Sequence, residues 1–229
     1  MNFIWFLIFS VVVFLLSLVC YEKYKFTTLY ALAIGGAVNA NFFHAGNYPI
    51  MCLGLPFGLD SIIYSLFAYC IIIMFLKENK KEAYILTISS LIAIMFSAAM
   101  QLIADLYSIG SCYLAWKPFI NFSVSAIASL ISVWAMLEIL DKLKNKKVNE
   151  YALLIIGMLI VSFINSSIYY TLATWINGTP ENILTLLLTS FIGKLIALIC
   201  SIGTLFLTNK IEKIIKRHLQ NKKALEETK

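Results

Sequence analysis

Charge is what this sequence has least of. Only 13% of its 229 residues are Asp, Glu, Lys or Arg, against roughly 25% in soluble domains. With 61% hydrophobic residues and a mean hydropathy of +0.86, a soluble catalytic domain is excluded. No tail or loop is long enough to fold separately. Proline is scarce at 4 residues and histidine at 2, so helix breakers are few and a histidine metal cluster is not available. The 5 cysteines (Cys20, Cys52, Cys70, Cys112, Cys200) contain no CxxC pair, which removes the usual zinc and redox motifs. Cys20, Cys70 and Cys200 read as apolar packing residues. Cys52 and Cys112 both fall in expected outer loops, where a disulfide between them is open on spacing alone. The sequence also lacks HExxH, GxSxG, and any Ser/Lys or paired-Asp signature of intramembrane hydrolysis. No enzyme and no cofactor is expected. Repeated charged rings and a carbonyl filter motif are missing too, which argues against an ion channel.

What is present is a series of apolar runs near the ~20 residues that a bilayer requires. Seven spans are expected, at about residues 2–21, 27–46, 58–77, 83–106, 119–140, 151–175 and 182–209. The fold class is therefore all-α, a polytopic membrane helix bundle forming a single membrane domain. Residues 1–26 form an added N-terminal helix, 27–209 a six-helix core, and 210–229 a basic cytoplasmic tail. The first run, Asn2–Tyr21, has no basic leader and no A-x-A site, and reads as a retained helix rather than a cleaved signal.

The net charge of +6 does not indicate nucleic acid, because the positive residues are segregated. Sixteen of the 18 lysines and arginines lie in four clusters after the first, third, fifth and seventh spans. The alternate loops are nearly uncharged. By the positive-inside rule the N-terminus lies outside and the C-terminus in the cytoplasm. Trp116 and Trp175 fall at the expected outer interface, and Tyr21 and Tyr24 at the inner one. The tail alternates Ile with Lys/Arg, fitting either an amphipathic stretch on anionic lipid or a solvated helix end.

The two basic residues outside the clusters are Lys117, in an outer loop, and Lys194. Lys194 interrupts the apolar run ILTLLLTSFIGKLIALICSIGTLFLT. A cation at mid-bilayer costs from about 3 to over 10 kcal/mol depending on the scale. An interior-facing lysine with an anion, a carbonyl or a wet cavity as partner is therefore expected.

Other polar residues break the apolar spans. Asn39, Asn41 and His44 lie in the second span; Asn41 and His44 share a face. Helix–helix glue and ligand recognition are both open for the asparagines, and His44 sits near the outer surface. The loop Gly46–Gly58 contains Pro49, Pro56, Gly54 and Gly58 and should break the chain. Asp60 follows that break, together with Ser61 and Tyr64. Asp60 is either a carboxylate capping a first helical turn or one facing a central cavity. Gln101 and Asp105 are four apart on one face. Asn121, Ser123 and Ser125 open the fifth span. Glu138 and Asp141 close it; pairing with Lys142–Lys147 is open for both and favoured for Asp141. Asn165, Ser166, Ser167, Tyr169 and Tyr170 form a polar group in the sixth span. The set of amides, hydroxyls, rings, one cation and a few carboxylates suits a flat polar heterocycle.

From the second span onward the chain resembles the queuosine precursor transporter family, also called vitamin uptake transporters. The resemblance covers about residues 27–220. It is carried by Asn39-Ala-Asn41, by Leu55-Pro-Phe-Gly-Leu-Asp60, by Glu138-Ile-Leu-Asp141 before Lys142-Leu-Lys144, and by the central lysine of Phe191-Ile-Gly-Lys194-Leu-Ile. The family often has a Glu shortly after its aspartate, where this chain has Tyr64 and no acid. It often has an aspartate in the penultimate helix, where this chain has Asn165-Ser-Ser-Ile-Tyr169. The resemblance implies six core spans, a bacterial inner-membrane location and uptake of a 7-deazaguanine precursor of queuosine. The substrate-contacting residues then expected are Asn39, Asn41, Asp60, Tyr64, Gln101, Glu138, Asn165 and Lys194. The partners are the small molecule, membrane lipid and a possible second copy of the chain. Two other functions fit the same sequence: the substrate-binding subunit of a multi-component importer, and a non-transporting sensor or scaffold whose polar residues only hold helices together.

Overall fold

The computed structural model describes residues 8, 11–12, 26–45, 49–52, 55–109, 112–177, 184, 187–188, 190–203, 206 and 210. The side chains of 26, 40–62, 108–115, 117 and 177 lie outside that description. Six helices and one hairpin are defined. In chain order they are α1 (Phe26–Ala45), β1 (Pro49–Cys52), β2 (Leu55–Gly58), α2 (Leu59–Lys77), α3 (Lys80–Ile109), α4 (Cys112–Asn145) and α5 (Glu150–Asn177), then α6 (Ser190–Gly203). The expected first span, the end of the last one, and the basic tail fall almost wholly outside the described residues. So do Cys20 and the side chains of Cys52 and Cys112; Cys70 and Cys200 are buried free thiols.

The expected helices from the second span to the sixth are all present, with two differences. The loop between the second and third is not simply irregular. Pro49–Cys52 pairs antiparallel with Leu55–Gly58, with Ile50 opposite Phe57. Prolines are tolerated there because a two-stranded ribbon has only edges. The fifth helix also starts earlier than the expected 119, at Cys112, and carries Pro118 inside it. Pro118 lies in the second turn, where its missing N–H removes one intrahelical bond.

Among the described residues, three helical stretches are long and apolar enough to cross a membrane: Lys80–Tyr107, Pro118–Asn145 and Glu150–Ile176. Their outward faces are apolar as well. Ile92 and Phe96 on α3, Trp134 on α4 and Phe163 on α5 are all exposed, a pattern that water would penalise and lipid favours. Ile63–Lys77 and α6 are shorter apolar helices.

The described bundle is built around α2. From Phe67 to Phe75 every one of its residues is buried, and a helix apolar all round belongs in a core. It packs against α1, α3 and α5. The α1 contact uses small residues: Ala33, Gly36 and Ala37 are buried, and a Cβ on Gly36 would stand 3.4 Å from the Ile63 carbonyl oxygen. Such close backbone approach is how apolar helices associate without a hydrophobic drive. On the far side, Gly157 of α5 faces Ile72 and Leu140.

Short polar turns join the lysine-rich ends. Asn79 caps α3 by accepting the Glu82 N–H at 3.0 Å, and Asn149 caps α5 by accepting the Tyr151 N–H at 2.9 Å; both satisfy donors that a helix start leaves open. The end of α4 closes with Lys147 N–H on the Lys144 carbonyl and Val148 N–H on the Leu143 carbonyl. Lys147 there has φ 57°. This is a Schellman ending, with a lysine in the left-handed position that glycine usually takes.

Candidate functional site

Three helices meet at Lys194. On α6, Ser190, Lys194, Ala197 and Ser201 follow one face at spacings of four, three and four, and all are buried. On α5, Ser162, Asn165 and Ser166 form a buried polar patch midway along the helix. On α2, Tyr64 turns its ring inward. Buried polar atoms of this kind need partners, and several of them find one another.

Lys194 is 4% exposed. Its ammonium donates to Ser166 Oγ at 2.6 Å and to Asn165 Oδ1 at 3.3 Å, and lies 5.2 Å from the centroid of the Tyr64 ring. A cation within about 6 Å of an aromatic face is attracted by the ring quadrupole. The lysine thus faces the bundle interior, and one partner is the side-chain carbonyl of an amide.

The hydrogen bonds have a direction. Because Asn165 accepts from Lys194 through Oδ1, its Nδ2 is free to donate to Ser129 Oγ on α4, at 3.4 Å. Ser129 donates in turn to the Ser125 carbonyl at 2.7 Å. Ser132 donates to the Ser129 carbonyl at 3.0 Å, so the Tyr64 hydroxyl, 3.4 Å from Ser132 Oγ, is the donor of that pair. Ser166, accepting from the ammonium, stands 3.2 Å from Ser190 Oγ. The result is a buried polar seam across α2, α4, α5 and α6 with the ammonium at its head. It can present a cation, an amide, hydroxyls and one aromatic face to a ligand group entering between the helices.

Of the eight expected contact residues, this seam unites Tyr64, Asn165 and Lys194. Three others are occupied elsewhere. Asn39 donates to the Gly35 carbonyl of its own helix at 2.7 Å. Gln101 donates to Asp105 at 2.8 Å, one turn along α3. Glu138 belongs to a second cluster. Asn41 and Asp60 lie in α1 and in the first turn of α2, but their side chains lie outside the described residues. Ser129, Ser132 and Ser190 were missed by the sequence reading. The spacing of Ser125, Ser129 and Ser132, at i, i+4 and i+7, marks them as one helical face.

The second cluster corrects the expected ion pairing. Glu138 Oε1 lies 2.9 Å and Asp141 Oδ2 3.3 Å from the Lys80 ammonium, and the Tyr84 hydroxyl donates to Glu138 at 3.0 Å. The partner is Lys80 on α3, where the sequence pointed to Lys142–Lys147. Antiparallel packing brings the start of α3 beside the end of α4, which sequence proximity does not reveal. Nearby, Lys144 donates to the Phe75 and Leu76 carbonyls at 3.1 and 3.4 Å, covering open acceptors at the end of α2.

Among the described residues no group of three His, Cys, Asp or Glu side chains is placed to hold a metal. No protein-family model, no curated protein and no solved structure matches the chain.

Proposed function

We propose that the protein is a multi-pass membrane carrier that takes up a small, flat, polar, nucleobase-like compound. A 7-deazaguanine precursor of queuosine is the candidate substrate, and a bacterial inner membrane the candidate location. The observation that carries this reading is the buried ammonium of Lys194 with Asn165, Ser166 and the Tyr64 ring around it. Burying a cation is costly unless it serves as partner to something, and a ring with amide and hydroxyl neighbours is the equipment for reading a heterocycle's edges while stacking on its face. The substrate class itself rests on the sequence resemblance. The seven-span, N-out and C-in arrangement and a homo-oligomeric assembly belong to the same proposal.

One observation favours the plainer alternative of a non-transporting bundle. Lys194, Asn165, Ser129 and Ser166 already bond one another, as helix glue would. Uptake of labelled deazaguanines by cells unable to make their own separates the two. A carrier gives uptake that Lys194→Met abolishes while the variant still inserts and folds. If wild-type protein gives no uptake and binds no deazaguanine, the scaffold reading stands instead.

A further inference from the structure

Between α3 and α4, on the outward side of the bundle, runs an apolar groove of about 310 Å³ lined by Tyr84, Thr87, Ile88, Leu130, Ile131 and Trp134. Its walls are open to the surroundings: Ile88 is 52% and Trp134 57% exposed. The groove does not end blindly. Tyr84, one of its lining residues, donates to Glu138, and the Lys80 ammonium lies 6.0 Å from the Tyr84 ring centroid. Lys80, Tyr84 and Ile88 are successive turns on one face of α3, as are Asp141, Glu138, Trp134 and Ile131 on α4. One continuous strip therefore passes from a charged cluster to an apolar slot about 12 Å deeper, at 1.5 Å per residue.

We infer that this strip is a binding site for one phospholipid with a zwitterionic, primary-amine headgroup, its acyl chain in the groove and its head at Lys80, Glu138 and Asp141. The charges choose the head. Both signs are present, and the two carboxylates are only partly covered, with side chains 39% and 42% exposed. An anionic glycerol head carries the same phosphate but offers the two acids only neutral hydroxyl donors, with no cation to offset their charge. A choline head has a cation but no N–H. An ethanolamine head places its phosphate toward Lys80 and donates ammonium hydrogens to Glu138 and Asp141, and charge-assisted bonds of that kind are the strong ones. The inference rests on the membrane reading and not on transport.

The test is lipid retention by the purified full chain, measured by native mass spectrometry with palmitoyl-oleoyl phosphatidylethanolamine, phosphatidylcholine and phosphatidylglycerol of matched chains. Phosphatidylethanolamine should be retained about tenfold more tightly than either, a difference of about 1.4 kcal/mol. The E138Q/D141N variant should lose that preference. Should that variant fail to fold, Ile88→Trp fills the outward slot without touching the ion pairs and should cut phosphatidylethanolamine retention to the phosphatidylcholine level. Equal retention of the three lipids, a preference for phosphatidylglycerol, or retention unchanged by Ile88→Trp would overturn the inference. None of these outcomes depends on whether uptake is seen.

Discussion

The Lys194 ammonium sits 5.2 Å from the Tyr64 ring centroid, joining the last described helix to the central one through a cation and a π face. Ring and hydroxyl make separable contributions there. The hydroxyl bond to Ser132 is long at 3.4 Å, so Tyr64→Phe should cost about 1 kcal/mol or less. Tyr64→Leu removes the ring and should cost about 2 kcal/mol or more through the lost cation–π contact and the space left behind. Denaturant unfolding in detergent measures both, and equal losses would show that the ring's contact with the lysine adds nothing to stability.

Lys147 occupies a left-handed position at φ 57°, which is unfavourable for a residue with a Cβ. Lys147→Gly should raise stability by about 0.5–1 kcal/mol, the relief of that strain less the added freedom of the unfolded chain. Lys147→Val should lower it. The melting temperatures of the two variants must move in opposite directions.

At Gly157 the added Cβ would meet the tips of Ile72 and Leu140 at 2.9 and 3.1 Å. Those are ends of flexible side chains and can shift, so Gly157→Ala should be tolerated, with a cost of about 1 kcal/mol or less. Gly157→Leu cannot be absorbed between α2 and α4 and should cost about 1–3 kcal/mol through overpacking. Thermal unfolding of the pair would reveal whether this contact is as tight as the distances imply.

Orientation is checked by single cysteines on a background lacking the native ones. Asn145→Cys, in a lysine-rich turn, should react only after the membrane is permeabilised. Asn177→Cys, at the opposite end of α5, should react from outside. The lysine asymmetry between alternate loops predicts this labelling, and the reverse result removes the N-out, C-in arrangement.

Most of the helix layout was legible because hydropathy and lysine placement are one-dimensional signals. Lys80–Ile109 and Glu150–Asn177 extend a few residues beyond the expected 83–106 and 151–175, since polar caps continue a helix past its apolar part. The hairpin was not legible: in Pro49–Gly58 its proline and glycine content signalled a break but not a pairing. Lys194 announced itself because one charge in an apolar run is conspicuous. Ser129 and Ser132, further along the seam, did not, because serine in a helix is usually satisfied by its own backbone, as Thr87 and Ser90 are here. Lys80 was hidden for another reason. It lies in a basic cluster like any other, and only the packing of α3 on α4 sets it apart from Lys77 and Lys81.

The grip of Lys144 on the Phe75 and Leu76 carbonyls has a mechanical meaning. With Lys80 tied to Glu138 and Asp141, the end of α4 clasps both the helix entering the α2–α3 turn and the helix leaving it. Three helix ends are thus fastened at the lysine-rich side by side-chain bonds that reach across the α2–α3 turn, where the chain's own backbone supplies only a short link.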